Sequence, residues 1–212
     1  MPMTRPCAAL AACLTAGTAF GAGPAPDSYN MLNGNTGSFN YWDESYNGAG
    51  CVTCDNAALT GGRGDLTDGS IATANWFDTE APAGPGPYVG WTIDPTITFH
   101  WNAAVSIGSV TFHLDDSNGA GGVSAPSGVI VDGTSFAIAE PAGSAPFAFT
   151  ASGFSFNGTD LVVTLQRKNS WVFLSEVEFN GTTAAVAEPE TYALMVAGLG
   201  AIAIIARRRR DR

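Results

Sequence analysis

The clearest evidence for the fold class of this chain lies in "GFSFNGTDLVVTL", residues 153–165. On both sides of Asn157-Gly158, apolar side chains alternate with polar or small ones. Alternation with a period of two is typical of a strand that buries one face. Asn-Gly is strongly favoured in two-residue hairpin turns because both residues accept positive φ. The stretch therefore predicts two antiparallel strands joined at Asn157-Gly158.

The same period recurs through the middle of the chain. The further alternating apolar positions are Ile97/Phe99/Trp101, Val110/Phe112/Leu114, Val129/Val131 and Phe136/Ile138. Between them, Asn118-Gly119 and Asp132-Gly133 supply residues that tight reversals require. The pattern shows no helix signals between residues 22 and 183. Many short strands without crossover helices predict an all-β fold, here an antiparallel jelly-roll β-sandwich.

The C-terminal end has a different composition, with "AEPETYALMVAGLGAIAIIARRRR" over residues 187–210. Residues 191–206 carry no charge, and four consecutive arginines follow, Arg207, Arg208, Arg209 and Arg210. An uncharged run with a basic flank is typical of a membrane span whose arginines stay in the cytoplasm. We therefore expect a single transmembrane helix over 191–206 and a basic cytoplasmic tail over 207–212.

This end of the chain resembles the PEP-CTERM sorting signal of Gram-negative bacteria, which combines a short motif, a transmembrane segment and an arginine-rich end. The short motif falls in a linker over 183–190, at Ala187, Glu188 and Pro189, where the family usually has Pro-Glu-Pro. The resemblance implies a protein that is held in the inner membrane and cut near the motif by an exosortase-type transpeptidase. It further implies release to the cell surface or the extracellular matrix.

The N-terminal end predicts an export signal over residues 1–21. Arg5 gives a positive start, residues 8–19 form an apolar stretch with small residues, and residues 19–21 offer a cleavage site for signal peptidase. A lipoprotein signal acylated at Cys13 is the alternative. Its apolar stretch would be about six residues, which is shorter than export signals usually have.

Between the two signals lies a single predicted domain over residues 22–182. It keeps three basic side chains, Arg63, Arg167 and Lys168, against sixteen acidic ones, so its formal net charge is −13. A surface this negative repels phosphate backbones, so we expect no nucleic-acid partner. Cations and neutral ligands are the better match for such a domain.

A second resemblance runs from Leu66 to Phe179. In chain order, the pieces that carry it are "LTDGSIATANWF", "YVGWTIDPTITFHW", "IGSVTFHLDD", "APSGVIVDG" and "WVFLSEVEF". They resemble the discoidin-like, or galactose-binding-domain-like, jelly rolls of the coagulation-factor C-type group. The resemblance implies a jelly roll that covers most of the exported domain.

The same resemblance implies a structural calcium ion, because this family often holds one where the early Asp-Gly loop meets the last strand. The ligands implied for this chain are Asp65, Asp68, Ser70, Thr73, Ser175 and Glu176. Asp68 and Glu176 would give carboxylates and the others backbone or hydroxyl oxygens, which is the shell that Ca²⁺ prefers. In the alternative interpretation, Asp68 only begins a turn and Glu176 is a solvated strand residue.

Cys51 and Cys54 form a Cys-x-x-Cys motif. A zinc site would need a second pair of ligands, and residues 22–182 contain no second cysteine pair. In an exported protein the motif predicts a local disulfide that braces a loop, with a redox function as the alternative.

The segment "FNYWDESYNGAG", residues 39–50, mixes aromatic and polar side chains. Trp42 and Tyr46 could stack on a sugar ring while the neighbouring polar groups bind its hydroxyls. Tyr41 is expected to pack inward from an N-terminal strand instead. The sequence therefore predicts Trp42 and Tyr46 as ligand-binding residues.

These patterns favour an exported, non-catalytic surface or matrix protein that binds carbohydrate, with exopolysaccharide as the expected partner. One alternative is a polysaccharide-acting hydrolase, which needs two carboxylates across a cleft. Asp115/Asp116 and Glu176/Glu178 are the candidate pairs by residue type. A purely structural coat protein is the other alternative.

Overall fold

The computed structural model describes residues 23–80 and 86–183, together with Met195, Ala197, Leu199 and Arg207, each in helical conformation. The predicted signal peptide, the Cys13 alternative and the sorting motif lie outside the described residues. The predicted membrane helix and tail also lie outside the described residues, apart from those four single residues. Within the described part, no helix is long and apolar enough to cross a membrane.

Eight β-strands form the described domain, and every strand pair is antiparallel. The strands are β1 Ser28–Leu32, β2 Ala58–Gly62, β3 Val89–Trp91, β4 Thr96–Leu114, β5 Gly128–Val131, β6 Thr134–Ala137, β7 Phe147–Gln166 and β8 Val172–Thr183. A four-residue helix, α1, spans Trp76–Thr79, and two 3₁₀ turns span Asp65–Thr67 and Ala120–Gly122. The all-β antiparallel prediction is confirmed.

The two longest strands, β4 and β7, organise the sheet because they pair with each other along most of their length. The first half of β4 also pairs with β1, which gives the order β2-β1-β4-β7-β5-β6. The second half of β4 pairs instead with β8, which in turn pairs with β3. The β4–β7 ribbon therefore belongs to both layers of the domain.

The hairpin predicted at Asn157-Gly158 is wrong, because both residues lie inside the continuous strand β7. Asn157 pairs with Ser106 and Gly158 with Val105. A β-carbon on Gly158 would lie 3.0 Å from the ring of Phe156. Glycine here therefore makes room for an aromatic ring on the same strand face, and it does not form a turn.

The other two turn predictions are confirmed. Asp132 and Gly133 have φ of 46° and 79° and form the two-residue connection between β5 and β6. Asn118 and Gly119 have φ of 48° and 88° in the loop after β4. Both pairs use the positive φ that Asn, Asp and Gly accept most readily.

The main core lies between the two layers and joins side chains from both. Phe99 on the first half of β4 meets Phe179 on β8 with ring centroids 4.8 Å apart. Trp101 packs edge-on against Phe179 at 5.0 Å. Phe99 is fully buried, and burying such a ring contributes about 1.5–3 kcal/mol. Contacts of this kind hold the layers together and fix the loops at their ends.

Candidate functional site

Carboxylates collect where the loop after β2 meets strand β8. The N–H of Gly69 donates to Oε2 of Glu176 at 2.8 Å, although the residues are 107 positions apart. Asp68 precedes Gly69, and its Oδ1 accepts from the N–H of Ser70 at 2.7 Å. The predicted meeting of the Asp-Gly loop with the last strand is therefore confirmed.

Two further aspartates lie beside this loop in the interior. Asp43 is fully buried, and Asp65 is 7% exposed. Asp43 accepts from the N–H of Asp65 at 3.1 Å and from the hydroxyl of Tyr29. The hydroxyl of Ser45 donates to Asp65. Sequence analysis missed Asp43 as part of this cluster, because it belongs to the aromatic segment around Trp42.

Burial raises the pKa of these carboxyl groups. Desolvation, followed by the negative charge of Asp43, raises the pKa of Asp65 to about 7. Desolvation, with a smaller contribution from Asp68, raises the pKa of Glu176 to about 7. The pKa of Asp43 is also raised, chiefly by desolvation. A cation held among these groups would favour their charged forms.

Two buried oxygens of this region have no hydrogen-bond partner among the residues that the structure describes. They are Oδ2 of Asp65 and the hydroxyl oxygen of Thr67. Leaving a buried polar atom unpaired is unfavourable, and native structures rarely do so. An unpaired carboxylate oxygen in an acidic cluster is an atom that a bound cation would satisfy.

Two open cavities share Asp68 in their walls. The first, of about 500 Å³, is also lined by Glu176, Glu178 and the residues that precede β1. The second, of about 420 Å³, is also lined by Glu44 and Asp65. Asp68 therefore lies between the carboxylates of β8 and those of the interior pair.

The structure brings only part of the predicted calcium shell together. The hydroxyl of Ser175 is already engaged, since it accepts from the N–H of Ala72 and donates to the carbonyl of His113, both at 3.2 Å. Thr73 is exposed and lines neither cavity. Among the described residues, no three side chains of His, Cys, Asp or Glu are grouped so that they could hold a metal ion.

A second region, here called the aromatic platform, is formed by loops that meet the start of β8. Its partly exposed members are Phe39, Trp76, Phe77 and Trp171. Trp76 stacks on the buried ring of Phe173, with centroids 6.0 Å apart and planes 17° from parallel. Phe77 packs edge-on against Trp76 at 5.7 Å and is 46% exposed. The platform thus combines a buried foundation with open ring surface.

A buried polar network holds Trp76 in place. The side-chain amide of Asn75 donates to Oδ1 of Asp115 at 2.7 Å and to the carbonyl of Asp116 at 3.0 Å. Oδ2 of Asp115 accepts from the N–H of Trp76 at 3.3 Å. Both aspartates are fully buried. They therefore cannot reach a substrate, and the catalytic alternative is wrong for this pair.

The two residues predicted to bind a sugar have different surroundings. Tyr46 is 5% exposed, and its hydroxyl donates to the carbonyl of Tyr29 and accepts from the N–H of Gly62. The prediction for Tyr46 is wrong, because its ring is part of the core. Trp42 is half-buried, and its indole N–H donates to Asp55 Oδ1 at 2.8 Å. Binding by Trp42 stays a prediction.

As predicted, Cys51 and Cys54 are joined by a disulfide. The side-chain amide of Asn33, just after β1, donates to the carbonyls of Cys51 and Val52 at 3.3 and 3.0 Å. These bonds tie the short disulfide loop to the end of a core strand. The arrangement is typical of a structural brace.

Comparisons with known proteins find similarity to solved structures and a match to a sorting motif at the C-terminal end of the chain. No curated protein matches the chain. Nine chains of solved structures match it. One is the X-ray structure of a GH31 CBM32-2 bound to GalNAc, which is 18% identical, covers 43% of this chain and 67% of that chain, and has a TM-score of 0.29. Residues 185–210 match the PEP-CTERM protein-sorting motif, so this is an exported protein with a C-terminal sorting signal of the kind that exosortase, a transpeptidase, processes.

Proposed function

We propose that this chain is a non-catalytic protein of the cell surface or extracellular matrix, whose jelly-roll domain binds carbohydrate and is braced by calcium. The aromatic platform carries the proposal. Phe77 is 46% exposed and packs against the half-buried Trp76. Trp171 is also half-buried and packs against Phe173, the ring on which Trp76 stacks. Aromatic rings stack on the apolar face of a sugar ring, while nearby polar groups bind its hydroxyls. Exposed polar residues adjoin the platform in sequence at Asp78 and Asn169.

The charge of the domain supports a neutral polysaccharide as the ligand. Its net charge of −13 repels polyanions but does not oppose an uncharged glycan. The sorting motif supports export of the domain, and exopolysaccharide is a glycan found outside the cytoplasm. We therefore propose a neutral exopolysaccharide as the partner.

Calcium would be held by Asp68 and Glu176, with Asp65 adding charge from the interior and with backbone carbonyls and water completing the shell. The unpaired Oδ2 of Asp65 and the raised pKa values of Asp65 and Glu176 support this proposal. Bound calcium supplies positive charge that lets these groups ionise near neutral pH. The ion would strengthen the contact that the loop at Asp68 and Gly69 already makes with Glu176 on β8.

The sorting signal supports a definite route to the surface. Signal peptidase removes residues 1–21, and residues 191–206 hold the precursor in the inner membrane of a Gram-negative bacterium. An exosortase-type transpeptidase then acts near Ala187, Glu188 and Pro189. The domain is thereby delivered to the cell surface or its matrix.

A polysaccharide-acting hydrolase is the second candidate, and one observation favours it. Asp65 has a pKa of about 7 and shares an open cavity with Glu44. A glycosidase needs a general acid with a raised pKa and a second carboxylate nearby. Glu178 of the other candidate pair is instead paired with His113, whose Nε2 lies 2.9 Å from Glu178 Oε2.

The test is a glycan array that includes galactose, N-acetylgalactosamine and neutral exopolysaccharides, probed in millimolar calcium with the exported protein lacking its sorting signal. Retention of a glycan without release of shorter products supports the proposal. Release of shorter products assigns the protein to the hydrolases. If the array shows neither retention of a glycan nor release of shorter products, carbohydrate binding is contradicted and a structural coat protein remains.

A further inference from the structure

The second cavity described above, of about 420 Å³, is here called the acidic cavity. Three carboxylate side chains line it, Glu44, Asp65 and Asp68, together with Ser45 and Ser70. Its volume falls in the range of small-molecule sites, which is about 300–1,000 Å³. Among the residues that the structure describes, no member of the aromatic platform lines it. The acidic cavity is therefore a candidate site of its own.

The described part of the domain supplies no positive side chain to this cavity. The exported domain has only three basic side chains. Arg167 is paired with Asp94. Lys168 is paired with Glu140. Arg63 is exposed and forms no ion pair with another residue that the structure describes. The negative charge of the acidic cavity is therefore left for a bound ligand or solvent to balance.

Asp65 is the residue of the acidic cavity that points to a ligand. It is 7% exposed, and its Oδ2 is buried without a hydrogen-bond partner in the described ranges. Its Oδ1 accepts from the hydroxyl of Ser45, which fixes the orientation of the carboxylate. A buried carboxylate oxygen without a donor is unfavourable, and native structures rarely keep one. A ligand that carries positive charge and donates a hydrogen bond to Oδ2 would remove both costs.

A primary ammonium group fits this cavity better than a metal ion does. Ca²⁺ takes about six to eight oxygens at close range. Across residues 23–80 and 86–183, no three side chains of His, Cys, Asp or Glu are grouped to hold a metal ion. An ammonium group needs no such shell, because a single charge-assisted hydrogen bond to Asp65 already satisfies the unpaired oxygen. The other donors of the ligand are then free to bind the remaining carboxylates of the cavity.

We propose that the acidic cavity binds an amino sugar, whose primary ammonium group donates to Oδ2 of Asp65. Glu44 and Asp68 accept from the ring hydroxyls that flank the amine. Glu44 is held by the side-chain amide of Asn40, and Asp68 by the N–H of Ser70. Each of these two bonds uses one carboxylate oxygen and leaves the other for the ligand. The inference goes beyond the proposed function, since it uses no ring of the aromatic platform and no bound metal.

The test is isothermal titration calorimetry at pH 7 on the full chain in a polyoxyethylene detergent, which carries no sugar. Excess chelator removes metal ions. The probes are glucosamine and N-acetylglucosamine, which has the same ring but no ammonium group. We expect glucosamine to bind through Asp65 and N-acetylglucosamine not to use this residue. A wild-type chain that binds no glucosamine overturns the proposal.

Asp65→Asn keeps the size of the side chain and an acceptor for Ser45, but it removes the negative charge. Glucosamine affinity should fall by about tenfold or more, as expected for a hydrogen bond to a charged group, while N-acetylglucosamine binding should not change. Glu44→Gln serves if this variant does not fold, and it should weaken glucosamine binding by about two- to fivefold. Glu140→Gln removes a carboxylate outside the cavity and should bind as the wild type does. Unchanged glucosamine affinity in both cavity variants overturns the proposal.

Butylamine separates an amino sugar from a simple amine. It carries the same single positive charge but no hydroxyls, so it should bind about fivefold more weakly than glucosamine. Equal or tighter binding of butylamine would overturn the assignment to an amino sugar. The glycan array tests the proposed function independently, because its neutral glycans carry no ammonium group. Binding of glucosamine through Asp65 in a protein that retains no neutral glycan would keep this site and contradict the platform.

Discussion

The N–H of Gly69 and the carboxylate of Glu176 form a hydrogen bond of 2.8 Å between an early loop and the last strand. A backbone donor favours the ionised form of Glu176, whereas burial and the charge of Asp68 oppose it. Burial and the charge of Asp68 together outweigh the hydrogen bond, because the pKa of Glu176 is raised to about 7. The contact is therefore one that a cation would strengthen.

Calcium should stabilise the domain through Asp68 and Glu176. If calcium is present at a hundred times its Kd, mass action adds about 2.7 kcal/mol to the free energy of unfolding. For a domain of this size, the Tm should rise by roughly 5–10 °C. Asp68→Asn and Glu176→Gln should each abolish most of this rise, because each removes one anionic ligand. Differential scanning calorimetry with calcium and with chelator measures it.

Glu178→Gln is the matched control for calcium binding. Glu178 lies two positions from Glu176 on β8 but is paired with His113. Its substitution should leave the calcium-dependent rise in Tm intact. Equal melting temperatures of the wild type in calcium and in chelator would contradict the calcium site.

The stability of the calcium-free domain should fall as the pH rises through about 7, and Glu80 contributes to this fall. Glu80 is fully buried and accepts from the N–H groups of Gly86 and Tyr88, both at 3.0 Å. Desolvation is the main cause that raises its pKa to about 7. A carboxyl group whose pKa is higher in the folded state stabilises the fold at low pH, and this contribution is lost as the pH passes the folded pKa.

For Glu80 the pH-dependent contribution is on the order of 2–3 kcal/mol. Between pH 5 and pH 8 in chelator, Glu80→Gln should therefore lose less stability than the wild type does. Urea unfolding at several pH values measures the difference. Glu140→Gln, at an exposed ion pair with Lys168, is the control and should follow the wild type. Identical pH profiles for the wild type and Glu80→Gln would show that Glu80 titrates normally.

Carbohydrate binding should depend on the exposed rings of the platform. Phe77→Ala removes the most exposed ring while leaving the buried foundation, so it should weaken glycan binding by about tenfold, as expected for the loss of one stacking contact. Val162→Ala removes a 40% exposed apolar side chain on β7 and should have no effect. Surface plasmon resonance against the retained glycan measures both. Equal affinity for Phe77→Ala and the wild type would place the ligand elsewhere.

Trp42 offers the alternative location for the ligand. Its indole N–H is bonded to Asp55, so Trp42→Phe removes that bond while keeping an aromatic face. Loss of glycan affinity in Trp42→Phe, together with normal affinity in Phe77→Ala, would favour the segment 39–50 over the platform.

The disulfide between Cys51 and Cys54 should protect both thiols in the exported protein. We expect neither cysteine to be alkylated by iodoacetamide until a reductant is added. Because the closed loop is only four residues long, replacing both cysteines by serine should reduce stability by at most about 2 kcal/mol. Immediate labelling of the folded protein, measured by mass spectrometry, would reject the disulfide.

The C-terminal end of the precursor should remain in the cytoplasm. The arginines at 207–210 favour this orientation, because basic residues flanking a membrane span stay on the inner side. A reporter that fluoresces only in the cytoplasm should therefore be active when it is fused after Arg212. A phosphatase reporter, active only in the periplasm, is the control at the same position, and its activity there would reverse the expected topology.

The sequence was most informative where one local rule decided the structure. The turn at Asp132-Gly133 follows from the positive φ that these residues accept, and the pairing of β5 with β6 follows from the turn. The same rule failed at Asn157-Gly158, because pairing with β4 continues through that point. Local turn propensity there is weaker than the long-range pairing of two strands.

The site residues show the same division. The resemblance between Leu66 and Phe179 predicted that Asp68 lies near Glu176, because it reflects the path of the chain through the domain. No local pattern marks Asp43 as a neighbour of Asp65, since their contact joins distant segments. Tyr46 was misassigned because its polar neighbours in sequence are not its neighbours in space.

Strand β8 begins beside the platform and ends at Thr183, immediately before the segment that carries the sorting signal. Its twelve residues span up to about 40 Å when extended. The chain preceding β1 returns to the same region, since Gly23 lies against the backbone of Phe179. In a precursor tethered at its C-terminus, β8 would thus act as a spacer. It would hold the rings of the platform at the end of the domain opposite to Thr183, where the tethered segment begins.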